Sequence, residues 1–142
     1  MLDGKAVPRP EYPRPQMVRD RWINLNGEWE FEMDHGKSGR QRKLHTADKL
    51  NGKIIVPFCP ESSLSGVAYK DFMASVWYRR QFRIPAEWQG QRVLLHFGAV
   101  DYDAEVWING VSAGRHKGGY SSFKFDITEH LLAGDNTVTV CA

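Results

Sequence analysis

Short runs of alternating apolar and polar residues, separated by turn signals, constrain the fold of this chain more than any other feature. In DAEVWINGVSAGRH, residues 103–116, two such runs flank the dipeptide Asn109-Gly110. A two-residue type I′ turn needs positive φ at both central positions, which Asn and Gly tolerate best. The stretch therefore predicts a tight β-hairpin in which Val106 and Ile108 face one way and Glu105 and Trp107 the other.

Similar runs recur along most of the chain. A first strand is predicted at about 28–33, followed by a polar loop over 34–52. The remaining strand predictions are KIIVPF, SVWYRRQFRI, QRVLLHFGAV, DAEVWI, VSAGRH, YSSFKFDI and NTVTVCA. Only PAEWQG and TEHLLAG suggest helix, one turn each. Without long helices or a βαβ pattern, the sequence predicts an all-β, antiparallel β-sandwich.

The chain of 142 residues suits one domain preceded by a short arm. Four prolines, at positions 8, 10, 13 and 15, fall within the first 20 residues. Proline fixes φ and removes a backbone donor, so residues 1–20 are predicted to form an extended arm. Residues 21–142 are predicted to form the folded domain.

Charge and hydropathy argue against several classes of partner. The net charge is +2, with 19 basic and 17 acidic residues, which gives no electrostatic case for binding nucleic acid or a membrane surface. No apolar run is long enough to span a bilayer. The first 21 residues lack the apolar core of a signal peptide, which favours a cytoplasmic protein. Removal of a leader would leave a periplasmic or secreted protein as the alternative.

Candidate catalytic and metal-binding patterns are weak. Asp101 and Asp103 have the spacing that places two carboxylates on one strand face, but acids at strand ends are usually solvated. Ser121, His116 and Asp126 lie close in sequence without a nucleophile-elbow motif. The five histidines show no metal-binding spacing, and the two cysteines are interpreted as free thiols in the core. No catalytic residue, metal or cofactor is therefore predicted.

Ordered motifs across nearly the whole chain resemble one family. WINLNGEWEF, IIVPFCPESSLSG, VWYRRQFRIP and GQRVLLHFGAVDYDAEVWINGVSAGRHKGGYSSFKFDIT are similar to the N-terminal sugar-binding domain of glycoside hydrolase family 2. The family includes β-galactosidases, β-glucuronidases and β-mannosidases. The resemblance covers about residues 8–140. It implies a galactose-binding-like jelly-roll β-sandwich that lacks its last strands, and a retaining β-glycosidase whose acid and nucleophile belong to a TIM barrel outside this chain.

The resemblance also supplies candidate contacts to substrate. The loop before VWYRR holds the position from which this family's domain reaches its active site, so Asp71, Phe72 and Met73 are candidates. For Asp71 the favoured alternative is an ordinary exposed loop acid. Further rim candidates at strand ends or on aromatic positions are Asp101, Tyr102, Trp107, His116 and Tyr120.

The implied partners are a β-glycoside carbohydrate, the parent's catalytic barrel and immunoglobulin-like domain, and further copies in a homo-oligomer. Two alternatives stay open. One is an autonomous carbohydrate-binding module, in which exposed aromatic side chains stack on sugar rings. The other is a purely structural or oligomerisation domain. A Trp on an alternating strand is more often buried than exposed, which favours a scaffold interpretation for Trp107.

Overall fold

A computed structural model describes residues 22–58, 60–69, 73–88, 90–98, 103–118 and 122–142, so the predicted arm over residues 1–20 lies outside the described residues. The strands within these ranges are β1 (Gly27–Met33), β2 (Gly52–Val56), β3 (Val76–Arg83), β4 (Leu94–Phe97), β5 (Asp103–Ile108), β6 (Val111–Lys117), β7 (Phe123–Asp126) and β8 (Asp135–Cys141). Single 3-10 turns occupy Leu44–Thr46, Ser63–Ser65, Ala86–Trp88 and Thr128–His130. No helix within these ranges has the length and apolar character needed to cross a bilayer.

The strands form two antiparallel sheets. Six strands make one sheet in the order β2-β1-β3-β8-β5-β6, and β4 pairs with β7 in the other. Each described pairing is antiparallel. The predicted all-β, antiparallel architecture is confirmed, with a strand at each predicted position.

The main core contains side chains from the inner face of the six-stranded sheet and from the β4–β7 sheet. Alternation sends Val106 and Ile108 of β5 and Val138 and Val140 of β8 to this inner face, where all four are buried. Trp107 belongs to a different cluster on the opposite face. The predicted division of the β5 side chains is therefore correct.

The Asn109-Gly110 hairpin is also confirmed. Asn109 has φ 52° and Gly110 φ 82°, the left-handed values that the predicted turn requires. The Asn109 side chain fixes the turn to β8 and to the segment that precedes β8. Its amide donates to the His130 carbonyl at 2.8 Å and to Asn136 Oδ1 at 2.9 Å, while its Oδ1 accepts from the Thr137 N–H at 2.9 Å.

Residues 34–50, which we call the strap, cover part of the outer face of the six-stranded sheet. The sequence predicted only a polar loop here, yet Leu44 and Leu50 are buried in a second apolar cluster with Trp77, Trp107 and Cys141. Cys141 is a free, buried thiol as predicted, and burial raises its pKa. Cys59 lies outside the described residues.

Candidate functional site

The strand registers bring several chain connections to one end of the sandwich. Trp77 pairs with Cys141, and Cys141 pairs with Glu105, so β3 and β5 begin where β8 ends. Phe97 at the end of β4 pairs with Phe123 at the start of β7. We call this end, where β3, β5 and β7 begin and β4, β6 and β8 finish, the loop end.

Most of the candidate residues belong to the connections at this loop end. Asp71, Phe72 and Met73 precede β3, Asp101 and Tyr102 connect β4 to β5, and Tyr120 connects β6 to β7. Asp71, Phe72, Asp101, Tyr102 and Tyr120 lie outside the described residues, so their assignment stays a prediction. Met73, Trp107 and His116 are described.

A stack of three rings links the two sheets at the loop end. His116, at the end of β6, lies on Phe123 with ring centroids 4.2 Å apart and planes 11° from parallel. Phe123 also stacks on Phe97 at 4.8 Å and meets the edge of Phe125 at 5.6 Å. Such stacked and edge-on pairs stabilise beyond their buried area. The stack therefore fixes the points at which the β4–β5 and β6–β7 connections leave the sheets.

A glycine in β6 lets the two sheets approach at this stack. A Cβ on Gly114 would lie 2.6 Å from Cε1 of Phe125, and Gly114 has φ +149°. Both the close approach and the backbone conformation favour glycine over any other residue. The ring of Phe125 thus rests directly on the main chain of β6.

The described loop end also carries two enclosed side-chain atoms that lack a hydrogen-bond partner among the described residues, Asp103 Oδ1 and His116 Nδ1. His116 is half-buried, and its Nδ1 is enclosed without a hydrogen-bond partner among the described residues. An imidazole nitrogen can donate or accept a hydrogen bond according to its tautomer.

Met73 is the other described candidate at the loop end. Its side chain packs against the main core rather than extending towards solvent, and it is partly buried there. This contact anchors the connection that precedes β3. A methionine in such a position supports the neighbouring loop through apolar contact.

The structure places Trp107 elsewhere and corrects its interpretation as a rim residue. Trp107 is only 6% exposed and lies under the strap on the outer face of the sheet. Its ring stacks on Trp77 at 5.2 Å and on His45 at 5.4 Å, and the Arg40 guanidinium lies 5.7 Å from its centroid. A ring so enclosed has no free face for a sugar. Alternation predicted the direction of Trp107 but not the segment that covers it.

Asp34 holds the strap over this tryptophan pair. Its carboxylate accepts from the backbone N–H of Ser38 at 2.9 Å, the N–H of Gly39 at 2.7 Å and Trp77 Nε1 at 3.2 Å. Burial alone would raise the pKa of Asp34, but these hydrogen bonds and the nearby Arg42 outweigh it and lower the pKa. Asp34 is therefore a buried anion stabilised by its local donors.

Seven other carboxylates in the described part of the chain form ion pairs with basic side chains. Arg79 is buried, pairs with Glu30 and also donates to the Ala47 carbonyl at 3.0 Å. Further ion pairs join Glu28 to Lys53, Glu32 to Arg42, Asp103 to Arg115, Glu105 to Arg40, Asp126 to Arg92 and Asp135 to Arg83. The pair with the buried cation, Arg79 with Glu30, therefore holds the strap against the sheet.

Asp126 and His116, the two described members of the Ser121, His116 and Asp126 set, have different partners. Asp126 accepts from the hydroxyl and backbone N–H of Thr128 and pairs with Arg92, which lower its pKa to about 2. His116 stacks on Phe123 instead, and Ser121 lies outside the described residues. Within the described ranges, no three His, Cys, Asp or Glu side chains come close enough together to hold a metal ion.

Sequence reasoning did not identify Phe97 and Phe123 as parts of a site. Alternation in YSSFKFDI placed Phe123 on an apolar face, and nothing local showed that Phe97 would pair with it. The relevant signal is that both phenylalanines flank connections carrying candidate residues. Recognising it requires the β4–β7 register.

Comparison with known proteins gives a consistent family match. Residues 63–142 match the family described as "Glycosyl hydrolases family 2, sugar binding domain". The chain is 33% identical to a beta-glucuronidase of Paenibacillus borealis over 131 residues, which cover 91% of this chain and 22% of that protein. It is 41% identical to a beta-galactosidase of Thermoanaerobacter pseudethanolicus over 66 residues, covering 46% of this chain and 9% of that protein.

Solved structures show the same similarity. The fold superposes on a beta-glucuronidase of Lactobacillus rhamnosus with a TM-score of 0.73 and 30% identity, covering 83% of this chain and 20% of that one. A beta-glucuronidase of an uncultured Clostridium species gives a TM-score of 0.72 and 33% identity, covering 83% and 21%. This chain thus spans about a fifth of the length of these beta-glucuronidases.

Proposed function

Because this chain belongs to glycoside hydrolase family 2, as a sugar-binding domain of that family, we propose that it is the non-catalytic domain of a larger retaining β-glycosidase and that its loop end contributes to the rim of the substrate site. Retaining glycosidases use two carboxyl groups about 5 Å apart, one as acid and one as nucleophile. In this proposal both belong to a catalytic barrel outside this chain. The domain positions loop residues against the substrate.

The observation that carries the proposal is the convergence at the loop end. Three connections that contain the candidate residues depart from one end of the sandwich, where His116, Phe97 and Phe123 stack. Loops fixed by a rigid scaffold are the usual place for binding residues. Tyr120, Tyr102 and Asp71 are the candidates that we expect to approach a sugar from this scaffold.

We further propose a β-glucuronide as the substrate class. Beta-glucuronidases align with most of this chain, whereas the beta-galactosidase aligns with less than half of it. The parent would also provide the immunoglobulin-like domain and would assemble as a homo-oligomer. Both partners are expectations from the family resemblance.

An NMR titration tests the rim assignment. The isotope-labelled chain is titrated with glucuronate, galactose and mannose, and the amide chemical shifts are followed. We expect saturable shifts near His116 and Phe123 that are largest with glucuronate. His45 is a matched control, because it also stacks on an aromatic ring but lies on the outer face. Shifts that cluster around His45, or no response to any sugar, would contradict a rim at the loop end.

A hydrolysis assay tests the non-catalytic assignment separately. The purified chain should release no chromophore from an aryl β-glucuronide, because the proposed acid and nucleophile lie outside it. Turnover that co-purifies with the chain through successive columns would place catalytic groups within these 142 residues and would reject the proposal.

A further inference from the structure

Three Asn-Gly dipeptides occur in the chain, and the structure places them in three different environments: Asn26-Gly27, Asn51-Gly52 and Asn109-Gly110. Asn-Gly can react spontaneously because glycine offers little steric hindrance. The backbone nitrogen of the glycine loses its proton to solvent and attacks the asparagine Cγ. The new C–N bond forms as the side-chain amide leaves as ammonia, giving a succinimide. Water then opens the ring to aspartate or isoaspartate.

At Asn109 this reaction is opposed by the fold. Three hydrogen bonds hold the side chain, to the His130 carbonyl, to Asn136 and from the Thr137 N–H. The Asn109 N–H also donates to the Thr137 carbonyl at 2.9 Å. The side chain must leave these partners before Cγ can meet the nitrogen of Gly110. Each hydrogen bond slows this departure by about a factor of five.

Asn26 is intermediate in its environment. The residue is half-buried, and its N–H donates to Asn24 Oδ1 at 2.8 Å. Its carbonyl accepts from Arg80 at 3.2 Å. These contacts restrain the main chain on the Asn26 side of the dipeptide, which opposes the rotation that ring closure requires.

Asn51 differs from both. It is exposed at the junction between the strap and β2, and its side chain has no hydrogen-bond partner among the described residues. We propose that Asn51 is the site at which the folded protein deamidates, forming a succinimide with Gly52 and then aspartate or isoaspartate. Solvent reaches this side chain, and no described hydrogen bond holds it, so the remaining restraint is that of the main chain, where Gly52 pairs with Phe31.

Modification at this position would act on the strap. Leu50 is 2% exposed, and its N–H donates to Glu30 Oε1 at 2.9 Å, while Gly52 pairs with Phe31 in the sheet. Isoaspartate inserts an extra methylene into the main chain between these two fixed neighbours. We therefore expect the modified chain to hold the strap less tightly over Trp107, with a change in tryptophan fluorescence.

Peptide mapping of the 142-residue chain, aged at mildly alkaline pH, tests the proposal with the three dipeptides as mutual controls. In the folded protein Asn51 should convert about 100-fold faster than Asn109, from the three hydrogen bonds at the latter. In denaturant the difference should disappear, because the dipeptide chemistry is the same. An isoaspartate-specific methyltransferase identifies the product.

Substitution of Asn51 tests directly whether this residue is the site of modification. Asn51→Gln should abolish the main modification and the accompanying fluorescence change. Gly52→Ala is a poor control, because its Cβ would lie 3.1 Å from the Phe31 carbonyl oxygen. Equal conversion of Asn109 and Asn51 in the folded chain would overturn the proposal. So would an Asn51 that stays intact when folded but converts in denaturant.

Discussion

His45 and His116 both stack on an aromatic ring, but the regions around them are held in different ways. His45 lies 5.4 Å from Trp107 on the outer face of the sheet, and His116 lies 4.2 Å from Phe123 at the loop end. In each, Nδ1 is enclosed without a hydrogen-bond partner among the described residues. The rings alone therefore do not distinguish scaffold from site.

The outer face and the loop end differ in the charge and the burial of the side chains that hold them. On the outer face, Asp34, Arg79 and Arg40 hold the strap over two tryptophans. At the loop end, apolar rings form the support, and the connections that leave it carry polar and aromatic candidates. A buried ionic network fixes one arrangement of its surroundings, whereas a ring stack at the root of loops leaves those loops free to vary in sequence. We infer that the outer face provides stability and the loop end provides function.

The largest effect that would test this contrast is expected at Arg79. Arg79 is buried and pairs with Glu30, so Arg79→Ala leaves a partly buried carboxylate without its cation. We expect the free energy of unfolding to fall by about 3–5 kcal/mol in urea denaturation. Arg83→Ala is the matched control on the same strand, because Arg83 and Asp135 are both exposed, and it should cause no measurable change. Equal losses in the two variants would contradict a buried network.

Asp34 adds a pH dependence to the same region. Its folded-state pKa is lowered below its ordinary value of 3.8, so the carboxylate stabilises the fold fully above that value. This contribution is lost as the pH falls through the folded-state pKa. Asp34→Asn should therefore destabilise by about 2–3 kcal/mol at neutral pH, from hydrogen bonds to a buried charge.

The difference between the wild type and Asp34→Asn should shrink below about pH 4, measured as urea midpoints across pH. Asp135→Asn, at an exposed position, should follow the wild type at every pH. A constant gap between the wild type and Asp34→Asn down to strongly acidic pH would show that the charge of Asp34 does not anchor the strap.

Much of this fold follows from local sequence, and the strap shows where that reasoning stops. Alternation and Asn109-Gly110 predict the strands and the hairpin, because each depends on neighbouring residues. The burial of Leu44 and Leu50 depends on tryptophans that are distant in sequence. The partners of Asp34 include Trp77, which is 43 residues away. For the same reason, alternation could not reveal that Trp107 is covered.

The loop end has the same limit. The resemblance proposed the connection before β3 and the strand ends proposed the other two, but the convergence of these connections depends on pairings such as Phe97 with Phe123. The register of two distant strands follows from the whole packed sandwich rather than from either strand alone.

A smaller effect is expected where the strap touches the sheet. A Cβ on Gly39 would lie 2.3 Å from Trp77 Nε1, so Gly39→Ala must displace the strap or the indole. Overpacking of this kind costs about 1–3 kcal/mol in the free energy of unfolding. Gly36→Ala is the control within the same strap, because its Cβ would meet nothing within 4 Å. Similar melting temperatures for the two variants would show that the strap adjusts freely over Trp77.

The smallest expected effect on stability, and the sharpest on function, comes from the two histidines. Each loses one ring contact on substitution by alanine, so His45→Ala and His116→Ala should each lower the free energy of unfolding by about 1 kcal/mol.

The effects of His45→Ala and His116→Ala on the glucuronate titration should differ. His116→Ala removes the ring that meets Phe123 at the base of the loops and should weaken the saturable shifts, whereas His45→Ala should leave them unchanged. If both variants weaken sugar binding equally, the response reflects stability alone. If only His45→Ala weakens it, the sugar site lies on the outer face and the roles of the two regions are exchanged.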